Sequence, residues 1–252
     1  MNSHKKPFFV GYLKPPRQLF VFLIICSVGL IIGFGLASYL TGAAQNDPGD
    51  GRYRYDLKRQ NLTGFFELLP YPLFHVTQGS AHIPVGHTLM LTRGGKRGLN
   101  KTNKALAGKL VTLKGVLIKR GGLDMLQVIG QIKPIDNSIV DIPKITIENL
   151  GRWKIAGEIC DGECLAGAMR PGRGLAHKAC ANLCLSGGIP PVFVASEKVL
   201  NEEYFLITGP DNTPLPDKSS DYIGQYISLE GDLQRRGSLV VLRMDPESVK
   251  KL

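Results

Sequence analysis

Laid against itself with an offset of 116 residues, the sequence pairs Gly108-Lys-Leu-Val-Thr-Leu-Lys-Gly-Val-Leu-Ile-Lys-Arg-Gly-Gly-Leu-Asp-Met-Leu-Gln-Val128 with Gly224-Gln-Tyr-Ile-Ser-Leu-Glu-Gly-Asp-Leu-Gln-Arg-Arg-Gly-Ser-Leu-Val-Val-Leu-Arg-Met244. Eight of these 21 positions are identical, and most of the others keep their apolar or polar character without a gap. The same offset brings Leu89-Met-Leu-Thr92 onto Phe205-Leu-Ile-Thr208. Further upstream, with gaps, Gly64-Phe-Phe-Glu-Leu68 answers to Gly157-Glu-Ile159, and Pro72-Leu-Phe-His-Val76 to Pro191-Val-Phe-Val-Ala195. A chain that carries one stretch twice builds one supersecondary unit twice, so the repeat constrains the architecture before any single element is assigned.

Each copy reads as five short strands, which in the first fall near 62–68, 71–76, 87–92, 109–119 and 123–129. The fourth alternates, Leu110, Thr112 and Lys114 against Val111 and Leu113, and its Gly115 suits a bend or bulge in a curved sheet. Arg120-Gly121 and Arg236-Gly237 mark tight hairpins into the last strand. A helical fragment near Asn100–Ala107 lies between the third and fourth strands. Five strands, a helix after the third and a Gly-kinked fourth strand resemble the OB fold, a small partly closed barrel. The expected class is therefore mainly β, with two tandem OB-like barrels at residues 58–135 and 136–252. A barrel of this kind implies no particular ligand, and its strands carry no stacking aromatics of the sort that hold nucleic acid.

Ahead of the barrels, Leu19–Leu40 runs 22 residues without a charge. As a helix it is about 33 Å long, the thickness of a bilayer's hydrocarbon core. Lys5, Lys6, Lys14 and Arg17 precede it, and Asp47 and Asp50 follow. The positive-inside rule then places the basic tail, residues 1–18, in the cytoplasm and the rest in the periplasm, as a single-pass inner-membrane protein. The alternative is a cleaved signal peptide, with Thr41-Gly42-Ala43-Ala44 as its small-residue site. Against it, a signal-peptide apolar core is usually about 7 to 15 residues. Cys26, within the span, reads as an apolar packing residue. Residues 41–57 read as a polar linker.

The basic tail also supplies part of the net charge of +10. The remaining excess is scattered, as at Lys96, Arg97, Lys101, Lys104, Lys119 and Arg120, with no long basic block or aromatic-interleaved stripe. That pattern argues for solubility beside an anionic membrane and against nucleic acid as a partner.

The two copies differ in one place. Between the strands around Gly157–Ile159 and Pro191–Val194 the second copy carries about 26 extra residues, within the segment 160–188. This insert holds every cysteine outside the apolar span, in the pattern C-x3-C-x12-H-x2-C-x3-C: Cys160, Cys164, His177, Cys180 and Cys184, with Met169 between. Leu175–Ser186, Ala-rich and closed by Gly187-Gly188, reads as a helix with a glycine stop. On it His177, Cys180 and Cys184 stand at i, i+3 and i+7, on one face. Cys164 completes the set from the preceding loop, with Cys160 and Met169 as further candidates. Thiols with imidazole suit tetrahedral zinc, copper(I) or an iron–sulfur centre. Two other readings stand beside this one. In an oxidising compartment Cys180 and Cys184 can pair as disulfides with Cys160 and Cys164, or all four can form a reduced apolar face. Lys178, Arg170 and Arg173 would favour thiolate at any cysteine they approach.

The run from Cys164-x-Ala-Gly-x-Met-x-Pro-Gly through His-Lys-x-Cys-Ala-x-x-Cys to Gly-Gly-Ile-Pro-Pro resembles a segment of uncharacterised bacterial membrane-anchored proteins, a family with no assigned activity. The resemblance covers roughly Gly157–Val194, supports the membrane topology and implies no reaction. The sequence holds no Ser-His-acid order, P-loop, dinucleotide glycine fingerprint or zinc-protease helix motif, so a catalytic role of its own has no support. His75, His82 and His87 read as ordinary barrel or loop residues. Two functions remain: an envelope accessory protein whose insert binds a transition metal or cycles thiols, and an anchored scaffold with structural disulfides that binds an envelope protein through its barrels.

Overall fold

The computed structural model describes residues 14–45, 49, 51–99, 103–135 and 145–252. It divides into two compact units, Met1–Asp47 and Pro48–Leu252. The first is helix α1 (Arg17–Gln45), of which Arg17–Gly42 is long and apolar enough to cross a membrane. A membrane anchor and a signal sequence share this form.

The second unit is two five-stranded barrels. The first barrel follows the short strand β1 (Arg52–Tyr53) and consists of β2 (Gln60–Leu68), β3 (Pro72–Gln78), β4 (Thr88–Arg93), β5 (Lys109–Arg120) and β6 (Leu123–Val128). Its order is β5-β2-β3-β4-β6, and β6 pairs back onto β5 to close it. Only the β4–β6 pairing is parallel. β1 and β7 (Lys133–Pro134) add to β5. The stretch read as linker thus ends in β1 and a 3-10 turn, Tyr55–Leu57. Of the expected helical fragment, residues 100–102 lie outside the described residues, and the rest is a 3-10 turn, Lys104–Leu106.

The second barrel repeats this order with β8 (Ile147–Asp161), β9 (Pro191–Val199), β10 (Glu202–Thr208), β11 (Tyr226–Arg236) and β12 (Leu239–Met244), with β13 (Lys250–Lys251) beside β11. Here β10 and β12 are the parallel pair. Both barrels enter their last strand through a two-residue hairpin whose first residue is a left-handed glycine, Gly121 and Gly237. Gly115 and Gly231 are equivalent, and no register shift falls at either: the β2–β5 ladder ends at Gly115, where the β5–β6 ladder begins, and the β8–β11 ladder runs through Gly231. What forces glycine is proximity, since a Cβ at Gly115 would lie 2.6 Å from Gln127 O and one at Gly231 2.5 Å from Arg243 O. The fourth strand curls so tightly there that only a bare backbone passes.

The cores correspond position by position. Leu62, Phe66, Phe74, Leu113 and Leu126 fill the first barrel, and Ile155, Ile159, Phe193, Leu229 and Leu242 fill the second. A third core lies between the barrels, where Leu73, Met90 and Met125 meet their equivalents Val192, Leu206 and Val241. Each strand of this face is therefore apolar on both sides, which blurs the alternation expected of a half-exposed strand. At the rim of the contact the Glu67 carboxylate accepts hydrogen bonds from His75 Nε2, at 2.8 Å, and from Arg236 Nη2 of the other barrel. Thr88 Oγ1 donates to Arg236 O at 3.0 Å.

Candidate functional site

The β2–β3 connection is residues 69–71, whereas β8 and β9 are joined by residues 162–190. This longer connection opens with a π-helical turn, Cys164–Ala168, and later forms a 3-10 turn, Leu175–His177, that passes into helix α2 (Lys178–Ser186). Its root is fixed to the first barrel by Glu163, a buried carboxylate. One oxygen accepts from Tyr53 Oη (2.9 Å) and Gln127 Nε2 (3.1 Å), the other from Thr92 Oγ1 (2.9 Å). Leu165 and Ala166 are buried in the core between the barrels. At the far end Gly98 N donates to Gly187 O at 3.0 Å, and the close backbones of Gly98 and Gly188 leave no room for a side chain at Gly98.

These anchors bring three sulfurs together. Cys164 from the π-turn and Cys180 and Cys184 from α2 place their Sγ atoms within 4.8 Å of one another. Cys164 and Cys184, 4.0 Å apart, are sealed, and Cys180 is half-buried. Ile189 closes the apolar side of the group. Burial, reinforced by Asp161, pushes the Cys164 thiol up, and the same causes push Cys184 up to about 12. Even with the Lys96 ammonium close by, these two are therefore thiols at neutral pH. A bound metal would displace their protons.

His177 stands just before α2, on the 3-10 turn, and its Nε2 lies 2.8 Å from Asp161 Oδ2. Asp161 Oδ1 accepts the Cys164 backbone N–H at 2.8 Å. Both side chains of this pair are buried, 2% and 0% exposed. Asp161, Cys164 and His177 form a second group within 4.8 Å, sharing Cys164 with the first; the three-sulfur group does not include His177. Either group can hold a metal ion. The carboxylate accepts only, so His177 donates through Nε2, and Nδ1 is the nitrogen left for a metal.

Two of the sequence candidates lie elsewhere. Cys160 points into the core between the barrels and donates to Glu158 Oε1 at 3.0 Å, with burial holding its thiol far up. Met169, at the end of the π-turn, is exposed. The pairing of Cys180 and Cys184 with Cys160 and Cys164 as disulfides is absent among the described residues, where every cysteine is free. Cys160 lies in the core between the barrels, so the two-bond pairing lacks one of its partners. His75 and His87 carry structural hydrogen bonds, to Glu67 and Asp124.

Two site residues escape a reading of the sequence. Asp161 looks like a polar strand end, although its place beside Cys160 in the motif was a signal. Lys96 gave none. It sits in the β4 hairpin, Arg93–Arg97, after Gly94-Gly95, with φ of 54° at Lys96 and 79° at Gly95. Its Nζ lies 3.3 Å from Cys164 Sγ and 3.4 Å from Cys180 Sγ. A left-handed lysine is costly backbone, and the contact it delivers is with the sulfurs. Lys178, which adjoins Cys180 in sequence, instead donates to Asp221 O. No protein-family model matches this chain, and neither a curated protein nor a solved structure is detectably similar to it.

Proposed function

We propose that this chain is a membrane-anchored accessory protein of the bacterial envelope whose three-sulfur cluster binds a transition metal on the periplasmic side. The observation that carries the reading is the convergence of Cys164, Cys180 and Cys184, from two separate segments, as unpaired sulfurs within 4.8 Å beside a buried Asp–His pair. Three soft donors and an imidazole suit zinc or copper(I) better than a hard cation, and an iron–sulfur cluster would want a fourth thiolate. His177, which shares Cys164 with the three sulfurs in the neighbouring group, supplies the fourth donor, with Asp161 accepting its Nε2–H in the carboxylate–histidine arrangement that orients metal-binding imidazoles. The strand order, with its one parallel pair joining the third and fifth strands, supports OB-like barrels, and the site is a helical insert between the first two strands of the second. The length of the apolar span favours an uncleaved anchor, and the basic residues before α1 with the acids after it favour a cytoplasmic N-terminus.

The test is metal analysis of the full-length chain, extracted in detergent and kept reduced. About one zinc or copper per chain is expected, lost in Cys164→Ser and His177→Ala and kept in Cys160→Ser and Met169→Leu. Absence of metal from folded, reduced wild type, even after incubation with zinc or copper(I), overturns the reading.

A further inference from the structure

The three sulfurs are not equivalent. Cys164 and Cys184 are 0% and 1% exposed, whereas Cys180, in the first turn of α2, is open to solvent along one side. Lys96 places an ammonium 3.4 Å from the exposed sulfur and 3.3 Å from Cys164, so those two sulfurs share one cation. A positive charge and a helix N-terminus are the surroundings in which a cysteine works as a nucleophile. On the outer face of α2, Leu183, one turn beyond Cys180, is 73% exposed, and Leu175 of the preceding turn is 69% exposed. The stretches 164–196 and 68–123 carry no acidic residue, while Asp161 is buried beside Cys164 and the segment Asp217–Asp221 packs against α2 through Lys178 and Asn182. Cys160 is excluded from the group by its place in the core between the barrels.

We propose that the cluster exchanges thiol for disulfide with external disulfides, with Cys180 as the attacking sulfur and Cys164 as the resolving one. The Cys180 thiolate attacks one sulfur of R–S–S–R, forming a Cys180–S–R bond and expelling the first thiolate, which takes a proton from water. Cys164 then attacks the Cys180 sulfur, its proton passing to the departing thiolate, so that Cys164–Cys180 forms and the second R–SH leaves. Two protein thiols are oxidised and the external disulfide is reduced to two thiols. Cys184, 4.0 Å from Cys164, can exchange onward and free Cys180 again. The exchange stands on the geometry of the thiols alone. Its control rests on the metal reading: a metal bound through the same sulfurs occupies the nucleophile, so loading shuts the exchange off.

The experiment treats the full-length chain, metal-free and reduced in detergent, with oxidised glutathione. Free-thiol counts and mass mapping are followed with time. Wild type is expected to lose two thiols through a transient adduct at Cys180 and to end with an intramolecular bond at Cys164. Cys164→Ser should accumulate the Cys180 adduct, and Cys180→Ser should react about tenfold more slowly. Equal rates in wild type and Cys180→Ser, or adducts confined to Cys26 and Cys160, overturn the proposal, provided circular dichroism shows the variants folded. The zinc-loaded chain should react at least about tenfold more slowly than the metal-free chain. If metal-free protein exchanges and neither zinc nor copper(I) binds or slows it, the metal reading fails and the exchange stands. If zinc binds but metal-free protein does not exchange, the reverse holds.

Discussion

The Asp161–His177 pair offers a test in which two substitutions at one position give opposite answers. Asp161→Ala removes the acceptor for two buried donors, His177 Nε2–H and the Cys164 backbone N–H, each at 2.8 Å in the wild type. With His177 2% exposed, water does not replace the carboxylate. A stranded buried donor costs about 1–3 kcal/mol, so the pair costs about 2–6 kcal/mol. For a folded unit of this size that is a fall in Tm of about 5–20 °C, read by calorimetry on metal-free protein. Asp161→Asn keeps one carbonyl oxygen for the Cys164 N–H and turns an NH2 towards His177. The imidazole then has to accept through Nε2, which moves its proton to Nδ1. Stability should stay within about 1.5 kcal/mol of wild type. Metal occupancy should nevertheless fall sharply, because the ligand nitrogen now carries the proton. Full metal loading in Asp161→Asn would refute the assignment of His177 as ligand. A Tm for Asp161→Ala within a degree or two of wild type would refute the claim that the carboxylate supports the buried site.

Three further outcomes follow from other parts of the molecule. Burial alone would raise the Glu67 pKa, but the hydrogen bond from His75 and the charge of Arg236 outweigh it and hold the group below its ordinary 4.5. A depressed acid contributes stability above its unfolded pKa that is lost as pH falls through the folded one, so denaturation midpoints should fall as pH drops beneath about 4.5. Glu67→Gln should flatten that acid limb, and an unchanged limb would count against the contact between the barrels. Gly115→Ala and Gly231→Ala should each lower stability by about 1–3 kcal/mol in urea unfolding, since the new methyl would sit against the neighbouring carbonyl and leucine; neutral effects at both would contradict the tight curl. A reporter enzyme active only outside the cytoplasm should be active when fused at Leu252, and the chain should stay with membranes after an alkaline wash; release of a shortened soluble chain would show cleavage.

The strands were legible because the repeat supplied a second reading of each. β5 and β11, weak as isolated patterns, support one another at identical glycines and leucines. The contact between the barrels was harder to see. Met90, Met125, Leu206 and Val241 look like more of the same core, and only the closure of each barrel shows that they face outward to a partner. Gly115 was legible as a bend in a curved strand, but what makes glycine necessary there, crowding by Gln127 O and Leu126, lies on the neighbouring strand. The helical spacing grouped His177 with Cys180 and Cys184, but the α-helix begins one residue later, so the imidazole turns to Asp161. A strictly helical projection cannot represent that change from a 3-10 to an α turn.

The insert shows why a sequence comparison within one chain can mislead about dependence. Because the first barrel has only residues 69–71 at this place, the segment looks detachable, and its deletion looks harmless. In the fold Leu165 and Ala166 lie in the core between the barrels, and Glu163 ties Tyr53, Thr92 and Gln127 of the first barrel to the root of the second. Ala181 of α2 belongs to the core of the second barrel. Removing residues 161–187 would therefore open two cores and leave those donors without their acceptor, a loss well beyond that of an exposed loop. The same coupling bears on the site. Lys96 comes from one barrel and the sulfurs from the other, so the cluster is complete only when the barrels are docked. A ligand bound at the sulfurs then stabilises the docked arrangement by linkage, and any perturbation of the contact between the barrels is felt at the cluster.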